Sequence, residues 1–144
     1  MDEFDRALRD LFTESLELIE LDLRTVIAYP FGETYGPFGH THPSHFYIRT
    51  EYPDWLVKLR GEAKRSRELF IDHDKVTYQE FPDLPIWVAT EVMSFGALSR
   101  LLPAMAKSDR KRIASRYRLQ PLTLASGVHH LVYVRNLCAH HSRL

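Results

Sequence analysis

Apolar residues recur every three or four positions along most of the chain, which places them on one face of an α-helix. The longest such run, from Asp2 to about Tyr29, predicts a first helix that ends before Pro30, because the residue before a proline avoids the helical region. Its apolar positions are Phe4, Leu8, Leu11, Phe12, Leu16, Ile19, Leu23 and Val26. The segment after it is rich in Gly, Pro and His and predicts a loop.

The same spacing predicts a second and a third helix. Pro53 lies at a favourable start for the second, which extends through residues 61–70. Its apolar positions are Trp55, Leu56, Leu59, Ala63 and Leu69. Pro85 opens the third helix, which runs to Leu102 with a wide apolar face. Gly96 in its middle indicates close approach by a neighbouring helix.

Two more helices complete the prediction. Ser108 followed by Asp109 is a suitable cap for a short basic helix, and the last helix starts near Pro121. The sequence shows no alternating strand pattern, repeat or low-complexity tract. We therefore predict an all-α bundle of about five helices, formed by residues 1–144 as a single domain.

Composition and charge narrow the function. Hydrophobic residues make up 44% of the chain, which is too apolar for disorder, and no apolar run approaches the roughly 20 residues that span a bilayer. The acidic start is unlike a secretory signal, so we expect a cytoplasmic protein. Cys138 is the only cysteine and is expected to be a small buried apolar residue. Lys+Arg and Asp+Glu are both 19, so any RNA contact must come from a local patch.

Polar groups crowd the end of the last helix, where Arg135, Asn136, His140, His141 and Arg143 follow an apolar run. RNA cleavage by internal transesterification needs a base for the ribose 2′-hydroxyl, an acid for the 5′-oxygen and positive charge at the phosphate. Histidine can fill either proton role, and arginine offers a fixed fork for phosphate oxygens. The segment is therefore a candidate site for RNA cleavage that needs no metal.

Helical geometry constrains this site. Arg135 and His140 are five positions apart, which places them about 140° apart around an ideal helix, whereas Asn136 and His140 share a face. One straight helix cannot direct both Arg135 and His140 at one phosphate. Either the helix distorts there, or two copies of the chain each supply part of the site. The second solution predicts a symmetric homodimer.

The run from Arg135 to His140 resembles the Arg, polar residue, three spacers, His pattern of HEPN ribonucleases, and the longer RNLCAHHSRL resembles the Abi-like (Abi_2) proteins of bacterial phage defence. Two upstream blocks extend the similarity: LIELDLRT, from Leu18 to Thr25, and PIWVATEVMSFGALSRLL, which starts at Pro85. The spacing alone is weak, but the three blocks in order are a specific signal.

This resemblance implies a HEPN-like helical bundle, a homodimer with facing motifs and metal-independent endoribonuclease activity in an abortive-infection or toxin setting. Arg135 would hold phosphate, His140 would move a proton and Asn136 would orient them. An antitoxin, or a regulatory RNA or protein, is an expected partner, and no cofactor or metal is expected. Family members usually continue past this motif, whereas this chain stops at Leu144, which suggests truncation.

Ordinary structural roles remain as alternatives for these residues. Arg135 could form a surface salt bridge to Glu20 or Asp22, and His140 could be half-buried with one backbone partner. His141 and Arg143 either contact substrate or are solvated near a frayed end. Glu20 and Arg24 are four apart on the first helix, so they are either an ordinary stabilising pair or, by analogy with the family, part of the site.

Two further clusters have a functional and an ordinary interpretation. The basic helix that contains Arg112, Arg116 and Tyr117 is either a solvated face or an RNA-backbone contact, with the tyrosine available to stack on an unpaired base. His40, His42 and His45 have spacing that could bind zinc. No cysteine or carboxylate set completes that cluster, so we predict no metal site.

The leading hypothesis is an endoribonuclease that acts on single-stranded or loop RNA. The alternative from another class is a non-catalytic module that binds RNA or protein through the same basic patch. Binding that is retained without cleavage and is insensitive to His140→Ala would favour this module. A third possibility is a truncated and inert chain, which failure to bind RNA at low salt would favour.

Overall fold

A computed structural model describes residues 2–47, 52–66 and 79–139 of the chain. These residues form six α-helices and no β-strand, so the predicted all-α bundle is confirmed. The helices are α1 (Glu3–Tyr35), α2 (Tyr52–Ser66), α3 (Ile86–Val92), α4 (Phe95–Ala104), α5 (Lys107–Arg116) and α6 (Pro121–Ala139). Two short 3-10 turns, Gly39–Thr41 and Pro43–His45, lie between α1 and α2. No helix of the described residues is long and apolar enough to cross a membrane.

The first helix is longer than predicted. Pro30 lies inside α1, which continues to Tyr35 and ends at Gly36, a residue in the left-handed region (φ 83°). A proline in a helix interior costs about 3 kcal/mol. Phe31 is 97% buried and Tyr35 bonds to α5, so tertiary contacts beyond Pro30 offset this cost. The prediction that the helix ends before Pro30 was wrong.

The amphipathic stripe of α1 is only partly buried. Leu16, Leu23 and Ile27 lie in the core, but Phe4 and Leu11 are 71% and 61% exposed. At 1.5 Å per residue, the 33 residues of α1 span about 50 Å, and its buried residues lie only between Leu16 and Phe31. The part of α1 before Leu16 therefore presents an apolar face that the described residues do not cover.

The predicted third helix is in fact two helices. Met93 is extended and ends α3, and the Ser94 side chain accepts a hydrogen bond from the Ala97 N–H, which caps α4. This break lets both Met93 and Phe95 point into the core, where they are 2% and 0% exposed. A Cβ at Gly96 would meet only Ser94 and Arg100 at ordinary contact distance, so the predicted close approach of a neighbouring helix there was wrong.

The remaining helix starts agree in part with the sequence. Helix α5 begins at Lys107 after Ala106, without a side-chain cap, so Ser108 is not its N-cap. Instead Asp109 turns inward and is 4% exposed. Helix α6 begins at Pro121, as predicted. Leu69 and the predicted end of the second helix lie outside the described residues.

A single hydrophobic cluster joins the helices. Helix α1 packs against α3, α5 and α6, while α4 packs against α6 and α2 contacts α3 and α4. Ile27, Phe95 and Leu98 are fully buried at its centre. The described residues thus surround one core, and α1, α4 and α5 all contact α6 on it.

The loop between α1 and α2 is packed onto this core. His40 is 1% exposed, and its backbone oxygen accepts a 2.6 Å hydrogen bond from the Tyr52 hydroxyl. His45 stacks on Tyr35, and its Nδ1 lies 2.8 Å from the Gly39 oxygen. Burial lowers the pKa of His40 to about 4. The loop therefore contains a neutral imidazole fixed inside the fold.

Candidate functional site

Helix α6 places Arg135 on the face that packs into the core. Arg135 follows Val128 by seven residues and precedes Cys138 by three, so the three share one side of the helix. Val128 and Cys138 are 3% and 5% exposed, whereas Arg135 is exposed. On this face the Arg135 guanidinium is not covered by the described residues. Charged side chains that contact only solvent usually lie on the opposite, polar face of such a helix.

Asn136 is also exposed, one residue further along the helix. Helix α6 extends to Ala139, so the Arg and Asn of the Arg-Asn-x3-His run lie on a regular helix. Cys138 is buried and unpaired with any other cysteine, which confirms the expected apolar role. His140, His141 and Arg143 lie outside the described residues, so their positions relative to Arg135 stay predictions.

The ordinary alternative for Arg135 does not hold within the described part of the chain. Glu20 pairs with Arg24, and the Asp22 carboxylate accepts a 2.7 Å hydrogen bond from the Tyr117 hydroxyl. The proposed salt bridge from Arg135 to either acid is therefore wrong. Among residues 2–47, 52–66 and 79–139, the Arg135 guanidinium forms no hydrogen bond or ion pair, and its cationic fork is free for a ligand.

Glu20 and Arg24 form a largely buried polar cluster on α1. Their side chains are only 12% and 15% exposed. The Arg24 guanidinium donates to the Glu20 carboxylate and also to the backbone oxygen of Thr90 in α3. Arg24 thus satisfies two acceptors and joins α1 to α3. Its arrangement fits the structural role, while contact with substrate stays a prediction.

The basic helix α5 borders a shallow cleft against α1. The cleft has a volume of about 310 Å³, and its walls include Tyr29, Arg112 and Arg116. Arg112 donates to Thr34 at 3.3 Å and to Asp109 at 3.2 Å. Arg116 is exposed and forms no ion pair within the described chain. The cleft therefore presents one tethered and one free guanidinium beside an exposed aromatic ring.

Two tyrosines attach α5 and its C-terminal end to α1. The Tyr35 hydroxyl donates to the buried Asp109 carboxylate at 2.6 Å, which raises the pKa of Tyr35 to about 12. Burial, together with the hydrogen bond to Asp22, raises the pKa of Tyr117. Tyr117 is partly buried, and its hydroxyl is engaged in the hydrogen bond to Asp22. Tyr29, which sequence reasoning did not select, is the exposed aromatic residue at this cleft.

A second cavity, of about 270 Å³, lies between α2 and α4. Trp55 and Arg100 line it, although the sequence indicated only that Trp55 occupies an apolar helical position. The residues that form it lie in segments up to 58 positions apart, so no local pattern could have revealed it. The described residues contain no group of three or more His, Cys, Asp or Glu side chains that could hold a metal ion.

Comparison with known proteins gives one match. A family model described as Abi-like protein covers residues 1–144. The chain belongs to the Abi-like protein family. This membership agrees with the resemblance found in the sequence and associates the chain with abortive infection and phage defence. No curated protein and no solved structure matches it.

Proposed function

We propose that this Abi-like chain is a metal-independent endoribonuclease of the HEPN type, whose site includes Arg135, Asn136 and His140. The observation that carries the proposal is the exposed Arg135 on the core-facing side of α6, which pairs with none of the described residues and lies next to the exposed Asn136. The planar arginine guanidinium can donate two parallel hydrogen bonds to the oxygens of one phosphate group. His140 follows in the sequence within little more than one helical turn.

The reaction would proceed by internal transesterification. A base removes the proton from a ribose 2′-hydroxyl, whose oxygen attacks the adjacent phosphorus while the bond from phosphorus to the 5′-oxygen breaks and that oxygen receives a proton. The products are a 2′,3′-cyclic phosphate and a 5′-hydroxyl. Arg135 would stabilise the charge on the phosphate oxygens, His140 would transfer a proton and Asn136 would orient the two.

A homodimer would complete the site. On a continuous helix, Arg135 and His140 diverge by about 140°, so an Arg135 from one copy and a His140 from the other would meet most readily across a two-fold axis. Exposed apolar surface supports an interface of this kind. On α1, Phe4 and Leu11 are 71% and 61% exposed.

The first test measures cleavage of a single-stranded RNA in EDTA, with detection of the cyclic phosphate end. We expect His140→Ala and Arg135→Ala each to reduce the rate by 10²-fold or more, the size of effect typical for a lost proton-transfer group or a charge that stabilises the transition state. His129→Ala and Arg65→Ala, which alter exposed residues of the same types, should cleave at the parent rate. Cleavage that survives His140→Ala would refute the proposal.

A mixing experiment tests the shared site. Copies with Arg135→Ala and copies with His140→Ala are inactive alone, but a mixed dimer has one site with both groups intact. Random pairing should restore roughly a quarter of the parent activity, because about half of the dimers are mixed and each has one of its two sites. No recovery, in a sample shown to exchange subunits, would exclude a site shared in this way.

The second candidate function is RNA binding without cleavage. The cleft beside α5, with its free Arg116 and exposed Tyr29, favours it. Arg116→Ala would then weaken RNA binding uniformly across sequences and reduce its salt dependence. RNA binding without cleavage, unaffected by His140→Ala, would select this function. An antitoxin or regulatory partner stays a prediction.

A further inference from the structure

The cavity between α2 and α4 combines an aromatic wall with a charged rim. Its volume is about 270 Å³, at the lower end of small-molecule sites, so it suits a small ligand. The wall is formed by Phe46, Tyr52 and Trp55, and the rim by Asp54, Lys58 and Arg100. These residues come from α2, from α4 and from the segment that follows the second 3-10 turn.

The three rings form one contiguous surface. The centroid of Phe46 lies 5.0 Å from that of Tyr52 and 6.0 Å from that of Trp55, and those of Tyr52 and Trp55 are 6.1 Å apart. These spacings are in the range of favourable aromatic contacts, so the rings support one another. A wall of this kind favours a planar ring laid against it.

The rim carries net positive charge. Lys58 and Arg100 are exposed, and neither forms a hydrogen bond or ion pair within the described chain. Asp54 supplies one opposing charge, so the rim is positive by one unit. Free ammonium and guanidinium groups at the mouth of an apolar cavity favour an anionic group such as phosphate.

Trp55 narrows the choice of ring. Its indole N–H is buried and has no acceptor among the described residues, which is uncommon for a buried donor in a folded protein. The N–H is closed to a water-sized atom in this structure, so it gains an acceptor from a ligand only if the indole turns toward the cavity and the ligand ring carries one. A nucleobase has ring nitrogens and carbonyl oxygens that accept hydrogen bonds, whereas a simple phenyl ring does not.

We propose that this cavity binds one nucleoside monophosphate unit, with the base against the aromatic wall and the phosphate at Lys58 and Arg100. The unit is either a free nucleotide or an unpaired nucleotide of an RNA chain. In the second case the inference rests on the RNA-directed function proposed above and adds a subsite to it. Binding here requires no cleavage, so it can be tested by itself.

Fluorescence offers a direct test, because Trp55 and Trp87 are the only tryptophans. In Trp87→Phe, Trp55 is the sole reporter, and Trp87 is 39% exposed, so its replacement should be tolerated. We expect UMP or AMP to change this fluorescence saturably, and uridine or phenyl phosphate to bind at least about tenfold more weakly because each lacks one recognised part. Calorimetry on the unmodified chain provides a second measurement of the same affinities.

Variants link the signal to the cavity. Lys58→Ala and Arg100→Ala should each weaken UMP binding by roughly tenfold, the effect of losing a hydrogen bond to a charged group. Lys64→Ala and Arg65→Ala, which remove exposed charges near the end of α2, should bind as the parent does. Circular dichroism confirms that each variant retains the helical fold.

The probes also distinguish the two sources of the nucleotide. Saturable binding of UMP or AMP indicates a free nucleotide site, whereas binding only of a short RNA that 2′-O-methylation protects from cleavage indicates an RNA subsite. The proposal is overturned if no nucleotide or RNA changes the Trp55 signal and calorimetry finds none bound, if Arg100→Ala binds as the parent does, or if phenyl phosphate binds equally well. Nucleotide binding without RNA cleavage would refute only the nuclease, and cleavage without binding here would refute only this site.

Discussion

The buried His40 imidazole makes the fold sensitive to mild acid. Desolvation lowers the pKa of His40 to about 4, from the ordinary value of 6.5, and the Arg60 guanidinium and His42 act in the same direction. Asp83 opposes this effect, but its carboxylate is held by Arg60 through hydrogen bonds of 2.6 and 2.9 Å. Protonation would place a charge where His40 Nδ1 has no hydrogen-bond partner in the described part of the chain.

The size and sign of the effect follow from linkage. Between pH 6.5 and 4 the unfolded chain binds a proton that the folded chain does not, so stability is fully present above pH 6.5 and falls as the pH falls. The two pKa values differ by about 2.5, which corresponds to about 3 kcal/mol below pH 4. Roughly 2 kcal/mol of this is lost between pH 7 and pH 5, where most carboxylates stay ionised.

Urea unfolding followed by circular dichroism can measure this loss. The unfolding free energy of the parent should fall by about 2 kcal/mol more between pH 7 and pH 5 than that of His40→Leu, which has no group to protonate. The backbone hydrogen bond from Tyr52 does not depend on the His40 side chain. His129→Leu, at an exposed histidine, should retain the parental pH dependence. Equal pH dependence in the parent and His40→Leu would refute the reasoning.

Three further predictions concern stability. Leu98→Ala removes a fully buried side chain and should lower the unfolding free energy by about 2–5 kcal/mol in urea. Tyr35→Phe removes the hydrogen bond to the buried Asp109 and should cost about 1–3 kcal/mol. By ultraviolet absorbance the variant should lose one of the phenols that ionise near pH 12 in the parent, which include both Tyr35 and Tyr52. Arg24→Met leaves the Glu20 carboxylate without its partner and should lower the unfolding free energy by about 3–5 kcal/mol in the same urea assay. The double variant Arg24→Met, Glu20→Met should recover part of this stability, and no recovery would contradict the pairing.

Local sequence determined the helical class and several details of the last helix. The spacing of apolar residues predicted α6 from near Pro121, because helical periodicity depends on neighbours three and four residues away. The burial of Cys138 was expected from its small apolar side chain and its apolar neighbours Leu137 and Ala139. The Arg-Asn-x3-His run is likewise contained in six consecutive residues. Such features can be recognised without knowledge of the fold.

Tertiary structure determined the helix boundaries at places where a contact between distant residues outweighed the local sequence preference. Pro30 predicts a helix end, but Tyr35 bonds to Asp109, 74 residues away, and that contact with the burial of Phe31 offsets the local cost. The break between α3 and α4 likewise lets Met93 and Phe95 both reach the core.

The candidate sites divide in the same way. The identity of Arg135 could be inferred from sequence, but its exposure on the core-facing side of α6 depends on what packs against that helix. The cavity with Trp55 and Arg100 joins segments that are distant in sequence, so only the packing of α2 against α4 creates it. Periodicity reports which side of a helix is apolar, whereas the identity of the element that covers that side depends on the free energy of the whole packed core.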